Sequence, residues 1–115
     1  MSLAGDRALI AHALSTVAGL KGFKHRPKTS NSGDAWPLIE ALENPGSMNL
    51  VVTWRIVVTL PTGEQDAMEW FDAMHEEVSD VLNEQIGFVD RIEPGTLATE
   101  AGTRNAMILT VRREA

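Results

Sequence analysis

The run from Asn49 to Leu60 constrains the fold more than any other segment of this chain. Its side chains alternate with period two, which predicts a β-strand with two distinct faces. One face would carry Leu50, Val52, Trp54, Ile56, Val58 and Leu60, and the other Val51, Thr53, Arg55, Val57 and Thr59. At about 3.3 Å per residue such a strand reaches roughly 40 Å, more than a small domain needs to cover its core. We therefore predict that its far end is left unpaired by the local hairpin and meets another subunit.

An acidic helix is predicted directly after this strand, from residue 63 to 85. Thr62-Gly-Glu-Gln65 matches the capping-box pattern that begins a helix, and Gly87 is the expected stop. The helix has no lysine or arginine, and its eight carboxylates are Glu64, Asp66, Glu69, Asp72, Glu76, Glu77, Asp80 and Glu84. Like charges one turn apart lower helix stability. Either water solvates this face, or cationic groups of another subunit offset its charge.

The remaining segments predict an α+β domain with a mostly antiparallel sheet and two helices packed on it. A helix is expected over residues 2–18, with Ser2 as its cap and Gly19 as its stop. The polar segment 27–35 is predicted to be a mobile loop, and Pro94 to Gly102 a connection between the last two strands. The element order is α-β-β-β-α-β-β, with strands at 22–26, 36–42, 49–60, 88–92 and 105–111. Pro37 confines the second strand to an edge or a strand start, and this strand forms a hairpin with part of the third.

The composition excludes several classes of protein. With 115 residues the chain fits a single domain spanning 1–115, and its net charge of −6 argues against a duplex-binding protein. The absence of cysteine excludes disulfides and thiolate metal sites. No apolar run approaches the ~18 residues of a membrane span, and the N-terminal segment lacks a basic leader. We therefore expect folding in the cytoplasm and no membrane association.

No constellation of residues predicts catalysis. His12, His25 and His75 fall in three different elements, so their spacing does not predict a metal site. The chain has no Gly-rich phosphate loop, no G-x-S-x-G motif and no cysteine nucleophile. We therefore predict no enzymatic activity, no catalytic residue, no metal and no cofactor. The three tryptophans fit core or interface anchors better than a ligand pocket.

Basic and acidic residues are segregated along the chain. Residues 21–28 hold four of the ten basic residues, whereas residues 64–84 hold half of the sixteen acids. Complementary patches on one protomer suit a head-to-tail ring, although solvation of a loop explains the same segregation. The candidate subunit contacts are Lys24, Arg26, Lys28, Trp54 and Arg55. The candidate residues facing a channel or a partner from the acidic helix are Glu69, Asp72, Glu76 and Asp80.

The chain also resembles a known family over nearly its whole length. An N-terminal helix precedes a Trp36-Pro37 strand, a long Thr53-Trp-Arg-Ile-Val-Val58 strand leading to Leu60-Pro-Thr62, and an acidic helix. This order is similar to that of the tail terminator proteins of long-tailed bacteriophages. The closing segments Val89–Leu97 and Ala106–Val111 fit the same family, particularly in phages of actinobacteria. These motifs are structural patterns and not catalytic signatures.

The resemblance implies a hexameric ring at the head-proximal end of the tail tube. Such a ring stops tube polymerisation and joins the tail to the head. The expected partners are further copies of this chain, the tail tube protein and the head–tail connector protein. The expected location is the virion neck, after assembly in the host cytoplasm, with DNA passing through the channel without specific binding.

Within such a ring, the long strand would extend a neighbour's sheet through Trp54 and Arg55, by pairing with its edge. The loops at 27–35 and 95–104 would order on docking to the tube or connector. Neck completion (stopper) proteins and tail-tube-like subunits remain alternatives within the same assembly. A soluble α+β binding module or small enzyme, with a cleft beside Trp36, is the alternative from a different class.

Overall fold

A computed structural model describes residues 2–28, 30–44 and 50–114. In this part of the chain the element order is α-β-β-β-α-β-β, which confirms the predicted α+β class with two helices. The elements are α1 (Leu3–Ser15), β1 (Lys21–Gly22), β2 (Asp34–Glu43), β3 (Val51–Thr59), α2 (Glu64–Gln85), β4 (Phe88–Thr99) and β5 (Gly102–Glu114). The strands form one five-stranded sheet in the order β1-β2-β3-β5-β4, and only the β1–β2 pair is parallel.

Both helices pack on the same face of the sheet. The core joins Ile10 and Leu14 of α1 and Val78 and Leu82 of α2 to one face of β3 and β5. The even-numbered residues of β3, from Val52 to Val58, are buried there. The opposite face of the sheet, called the open face below, is not covered by a helix of the described residues.

β3 is a central strand, which corrects the predicted surplus strand. It spans nine residues and pairs with β2 on one side and, over its full length, with Ala106–Glu114 of β5 on the other. Residue 49 lies outside the described residues. The prediction that the strand extends beyond its own domain to meet another subunit is therefore wrong, because a strand about fifty residues further along the chain pairs with it.

The last two strands form one long hairpin and not two short strands with an extended connection. β4 and β5 pair from Phe88 to Thr99 around a turn at residues 100 and 101. Pro94 is tolerated because β4 is an edge strand, where its missing N–H breaks no ladder hydrogen bond. Glycine suits position 95 because a Cβ there would lie only 2.9 Å from Ile108 Cγ1.

The helix ends follow the predictions only in part. Ser2 caps α1 as predicted, because its Oγ accepts the Gly5 N–H at 2.9 Å, but α1 ends at Ser15, before the predicted boundary. α2 begins at Glu64 after Gly63, and no side chain of the described residues caps it, so the predicted capping box is wrong. Among the described residues, neither helix is long and apolar enough to cross a membrane.

A buried ion pair links the two helices through the end of β5. Arg113 Nε lies 3.4 Å from Asp6 Oδ1, and the two side chains are 19% and 4% exposed. Arg113 Nη1 also donates a hydrogen bond to the Ile86 carbonyl at the C-terminal end of α2. The guanidinium thus joins the first turn of α1 to the last carbonyls of α2. Both positions suit the helix dipoles, because an anion is favoured at the start of a helix and a cation at its end.

Candidate assembly surfaces

One half of the open face is covered by a crossing segment, residues 23–28 and 30–32, called the strap. Phe23 of the strap packs with Leu97 against a small apolar cluster of Trp36, Val57, Ala106 and Ile108. Trp36 is fully buried in this cluster. The cleft beside Trp36 that a binding module would need is therefore filled by the chain itself.

Two arginines fasten the strap to the β4–β5 hairpin. The Arg26 guanidinium lies 5.8 Å from the centroid of the Trp36 ring, and its Nη2 donates to the Ala98 carbonyl at 2.5 Å. Arg104 donates to the Ser30 carbonyl at 2.9 Å, to Ser32 Oγ at 2.8 Å and to the Leu60 carbonyl at 3.3 Å. The polar segment predicted as a mobile loop is thus anchored on both sides of residue 29, which lies outside the described residues.

The other half of the open face carries three arginines, Arg55, Arg91 and Arg112, called the arginine cluster. Arg55 of β3 and Arg91 of β4 both pair in register with Thr110 of β5, so they flank it on either side. Arg112 lies two residues further along β5, opposite Thr53. All three side chains are exposed. The arginine cluster therefore occupies the middle of an uncovered sheet surface.

Four acidic residues surround the three arginines of the cluster, so charges of both signs line this surface. A shallow concavity of about 810 Å³ on this surface is lined by the cluster and by Glu40, Glu43, Asp90 and Glu93 of the outer strands. Among the described residues, the one ion pair here joins Arg91 Nε to Glu93 Oε2 at 3.7 Å, and its side chains are 67% and 48% exposed. Exposed pairs of this kind contribute little stability. Arg55 and Arg112 form no ion pair within the described chain.

The acidic helix presents its charge on the opposite side of the domain. All eight carboxylates of α2 belong to exposed residues, and none forms an ion pair with another described residue. Within this face, Glu69, Asp72, Glu76 and Asp80 follow helical spacing and form one line, called the acidic stripe. Because the apolar side of α2 packs on the core face of the sheet, the acidic stripe points away from the open face.

The outer edge of β4 is protected against pairing with another strand. The Val89 N–H donates to Asn83 Oδ1 at 2.9 Å, Pro94 has no N–H, and the Ala98 carbonyl accepts the hydrogen bond from Arg26. A bulge also interrupts the register beside Asp90. Natural sheets use such features to prevent edge-to-edge pairing. The outer edge of β4 is therefore unsuited to extension of the sheet by another strand.

The predicted contact residues fall into three separate places. Trp54 is fully buried in the core, with the Arg7 guanidinium 5.1 Å from its ring centroid, which corrects its place in the predicted subunit interface. Arg55 belongs to the arginine cluster. Lys24 and Lys28 are exposed on the strap, whereas Arg26 is engaged within the chain. The acidic stripe is exposed as a unit, but it lies on the other side of the domain.

No family model and no curated protein matches this chain. The two charged surfaces described above are therefore the structural observations that bear on function. No group of three or more metal-ligating side chains occurs among those residues. His75 instead stacks on Phe71 at 5.8 Å, and its Nδ1 lies 3.0 Å from the Phe71 carbonyl.

Sequence reasoning missed Arg91 and Arg112. Their spacing along the chain does not relate them to Arg55, because the relation depends on the register of three strands. Alternation through β5 would have placed Thr110 and Arg112 on the same face as Ile108. It would not have shown which side of the sheet lacks helices.

Proposed function

We propose that this protein is a structural subunit that assembles head to tail into a ring, and that the ring is a phage tail terminator. The observation that carries the proposal is the placement of an exposed group of arginines and an exposed line of carboxylates on opposite sides of one domain. The arginine cluster lies on the open face, and the acidic stripe lies on the far side of the helix layer. A head-to-tail contact uses two different surfaces of each subunit and closes into a ring when the rotation between copies permits.

The tail terminator role rests on the family resemblance together with this architecture. In that role, the ring caps the head-proximal end of the tail tube, stops its polymerisation and presents a surface to the head–tail connector protein. The net charge of −6 suits a channel through which DNA passes without specific binding. The strap and the hairpin turn around residues 100 and 101 lie together at one end of the sheet, and they are the segments we assign to axial docking.

Electron microscopy of virions assembled without this protein tests the role in the phage. We expect overlong tails, or heads and tails that remain unjoined. Tails of normal length joined to heads would contradict the proposal. Mass photometry of the purified protein, alone and with tail tubes, tests the ring directly, since a ring must appear in at least one of these conditions.

A second candidate function is the binding of a small anion, which the concavity at the arginine cluster favours. Three arginines and the hydroxyls of Thr53 and Thr110 line this surface, although it is open to solvent. This candidate predicts a monomer at all concentrations and an increase in Tm when inorganic phosphate or a dicarboxylate is added at constant ionic strength. A ring without such an increase would exclude it in favour of assembly.

A further inference from the structure

We propose that the acidic stripe of one copy docks onto the arginine cluster of the next copy. The inference rests on the proposed head-to-tail assembly and names the two surfaces that make its contact. Among the described residues of its own chain, α2 has no cationic partner. The inference identifies that partner as the centre of the neighbour's open face, and not the basic residues of the strap.

The spacing of the two charge patterns is compatible. Arg55 and Arg91 are separated by one intervening strand, which corresponds to about 10 Å, and Arg112 lies diagonally from Arg55 at about 7–8 Å. Carboxylates one helical turn apart lie about 6 Å from one another, and the stripe from Glu69 to Asp80 extends about 16 Å. Two or three carboxylates therefore fall within reach of the cluster at once.

The chemistry of the cluster fits carboxylates. A guanidinium offers a planar set of donors that matches a carboxylate with two parallel hydrogen bonds. Thr53 and Thr110 lie between the arginines, and their short side chains leave a concavity that can receive one face of a helix. Two exposed apolar residues flank the cluster in register, since Leu38 pairs with Arg55 and Phe88 with Arg112.

The surrounding acids restrict how a helix lies on this surface. Glu40 and Glu43 lie on β2, and Asp90 and Glu93 on β4, whereas Arg55 and Arg112 lie on the central strands β3 and β5. A helix laid across the sheet would place its carboxylates against these acids. A helix aligned along β3 and β5 avoids most of this repulsion, so we infer that α2 of the neighbour lies roughly along the central strands.

A second copy is the occupant because it supplies the matching surface. The acidic face of α2 has eight exposed carboxylates and no cationic partner among the described residues. The exposed Met68, one helical turn before Asp72, provides an apolar contact for Phe88 or Leu38 of the other copy. The two surfaces are different and lie apart on the domain, so one copy can use both at once in head-to-tail contacts.

Charge reversal in two halves of the contact tests the inference. The helix variant carries Asp72→Arg and Glu76→Arg, and the sheet variant carries Arg55→Glu and Arg112→Glu. Each alone would oppose like charges, and we expect its midpoint concentration for ring formation to rise at least tenfold by mass photometry. An equimolar mixture of the two variants is expected to assemble within about threefold of the wild type, because every contact in an alternating ring then joins opposite charges.

A strap variant with Lys24→Glu and Lys28→Glu is the matched control, since it makes the same change in net charge as the sheet variant. We expect its midpoint for ring formation, measured without tail tubes because the strap is assigned to docking on the tube, to remain near that of the wild type. All these positions are exposed, and circular dichroism verifies that each variant is folded.

The outcomes separate this inference from the proposed function. Rings that form normally in both reversal variants, or that fail only in the strap variant, would overturn the inference and leave the proposed function intact. Failure of the mixture to assemble while each variant is folded would also overturn it. A wild-type protein that stays monomeric, alone and with tail tubes, would overturn both.

Discussion

The ion pair between Arg113 and Asp6 makes a sharp prediction about stability. Replacing Arg113 with alanine leaves Asp6 as an uncompensated carboxylate whose side chain is only 4% exposed. It also removes the hydrogen bond that the guanidinium donates to the Ile86 carbonyl. Removing one partner of a buried pair costs about 3–5 kcal/mol. We expect the low end, about 3 kcal/mol, because Arg113 retains some exposure and its Nε makes no hydrogen bond among the described residues.

Urea denaturation followed by tryptophan fluorescence measures this change in the free energy of unfolding. At about 4 °C per kcal/mol for a domain of this size, Tm would fall by about 12 °C. Arg112→Ala is the matched control, because it removes an exposed arginine from the adjacent position of β5. At protein concentrations where the chain is monomeric, we expect this control to change the free energy of unfolding by no more than about 0.5 kcal/mol.

A double-mutant cycle separates the pair from other effects of each replacement. The double variant Asp6→Ala with Arg113→Ala removes both charges, so its loss should be clearly smaller than the sum of the two single losses. If Arg113→Ala costs less than 1 kcal/mol, or no more than Arg112→Ala, the argument from burial is refuted. Strict additivity in the cycle would show that the two residues act independently and would refute the ion-pair argument.

Two further predictions concern the strap and a glycine. Arg104→Ala removes the two hydrogen bonds that fasten the strap at Ser30 and Ser32, together with those to the Leu60 carbonyl. Trypsin should therefore cleave within residues 23–28 faster, and stability should fall by about 2 kcal/mol. Arg104→Lys keeps the charge but loses the forked set of donors and should be intermediate, and unchanged cleavage would contradict the anchoring role. Gly87→Ala places a Cβ 2.3 Å from the Arg112 carbonyl oxygen and should lower the free energy of unfolding, measured by chemical denaturation, by at least about 2 kcal/mol. In the control Gly63→Ala, the nearest atom to the new Cβ is 3.5 Å away, so the loss should be much smaller. Equal losses in the two variants would contradict the steric argument.

The glycine also shows how a correct boundary can have a different cause. Gly87 was expected to stop α2, and α2 does end just before it, with Ile86 as its C-cap. Its φ is not positive, unlike those of Gly19, Gly33 and Gly102. The position needs glycine because the backbone of β5 passes too close for a Cβ. This requirement comes from a contact between distant segments, which a local pattern does not contain.

The sequence alone determined the features that depend on neighbouring residues. Alternation through β3 identified its two faces, and helical spacing identified α2 with its exposed acidic side. Ser2 was correctly identified as a cap because its hydrogen bond spans only three residues. The element order followed from these local patterns together with the turn signals between them.

Only the tertiary structure decided which of these elements meet and which surface stays uncovered. β5 pairs with all of β3, so the strand predicted to reach another subunit lies in the middle of the sheet and Trp54 lies in the core. The same register brings Arg55, Arg91 and Arg112 together from positions far apart in the chain. Periodicity records the two faces of a single strand, whereas pairing partners and exposed sheet faces arise from contacts between distant segments. For that reason the acidic stripe could be predicted from the sequence, and the arginine cluster could not.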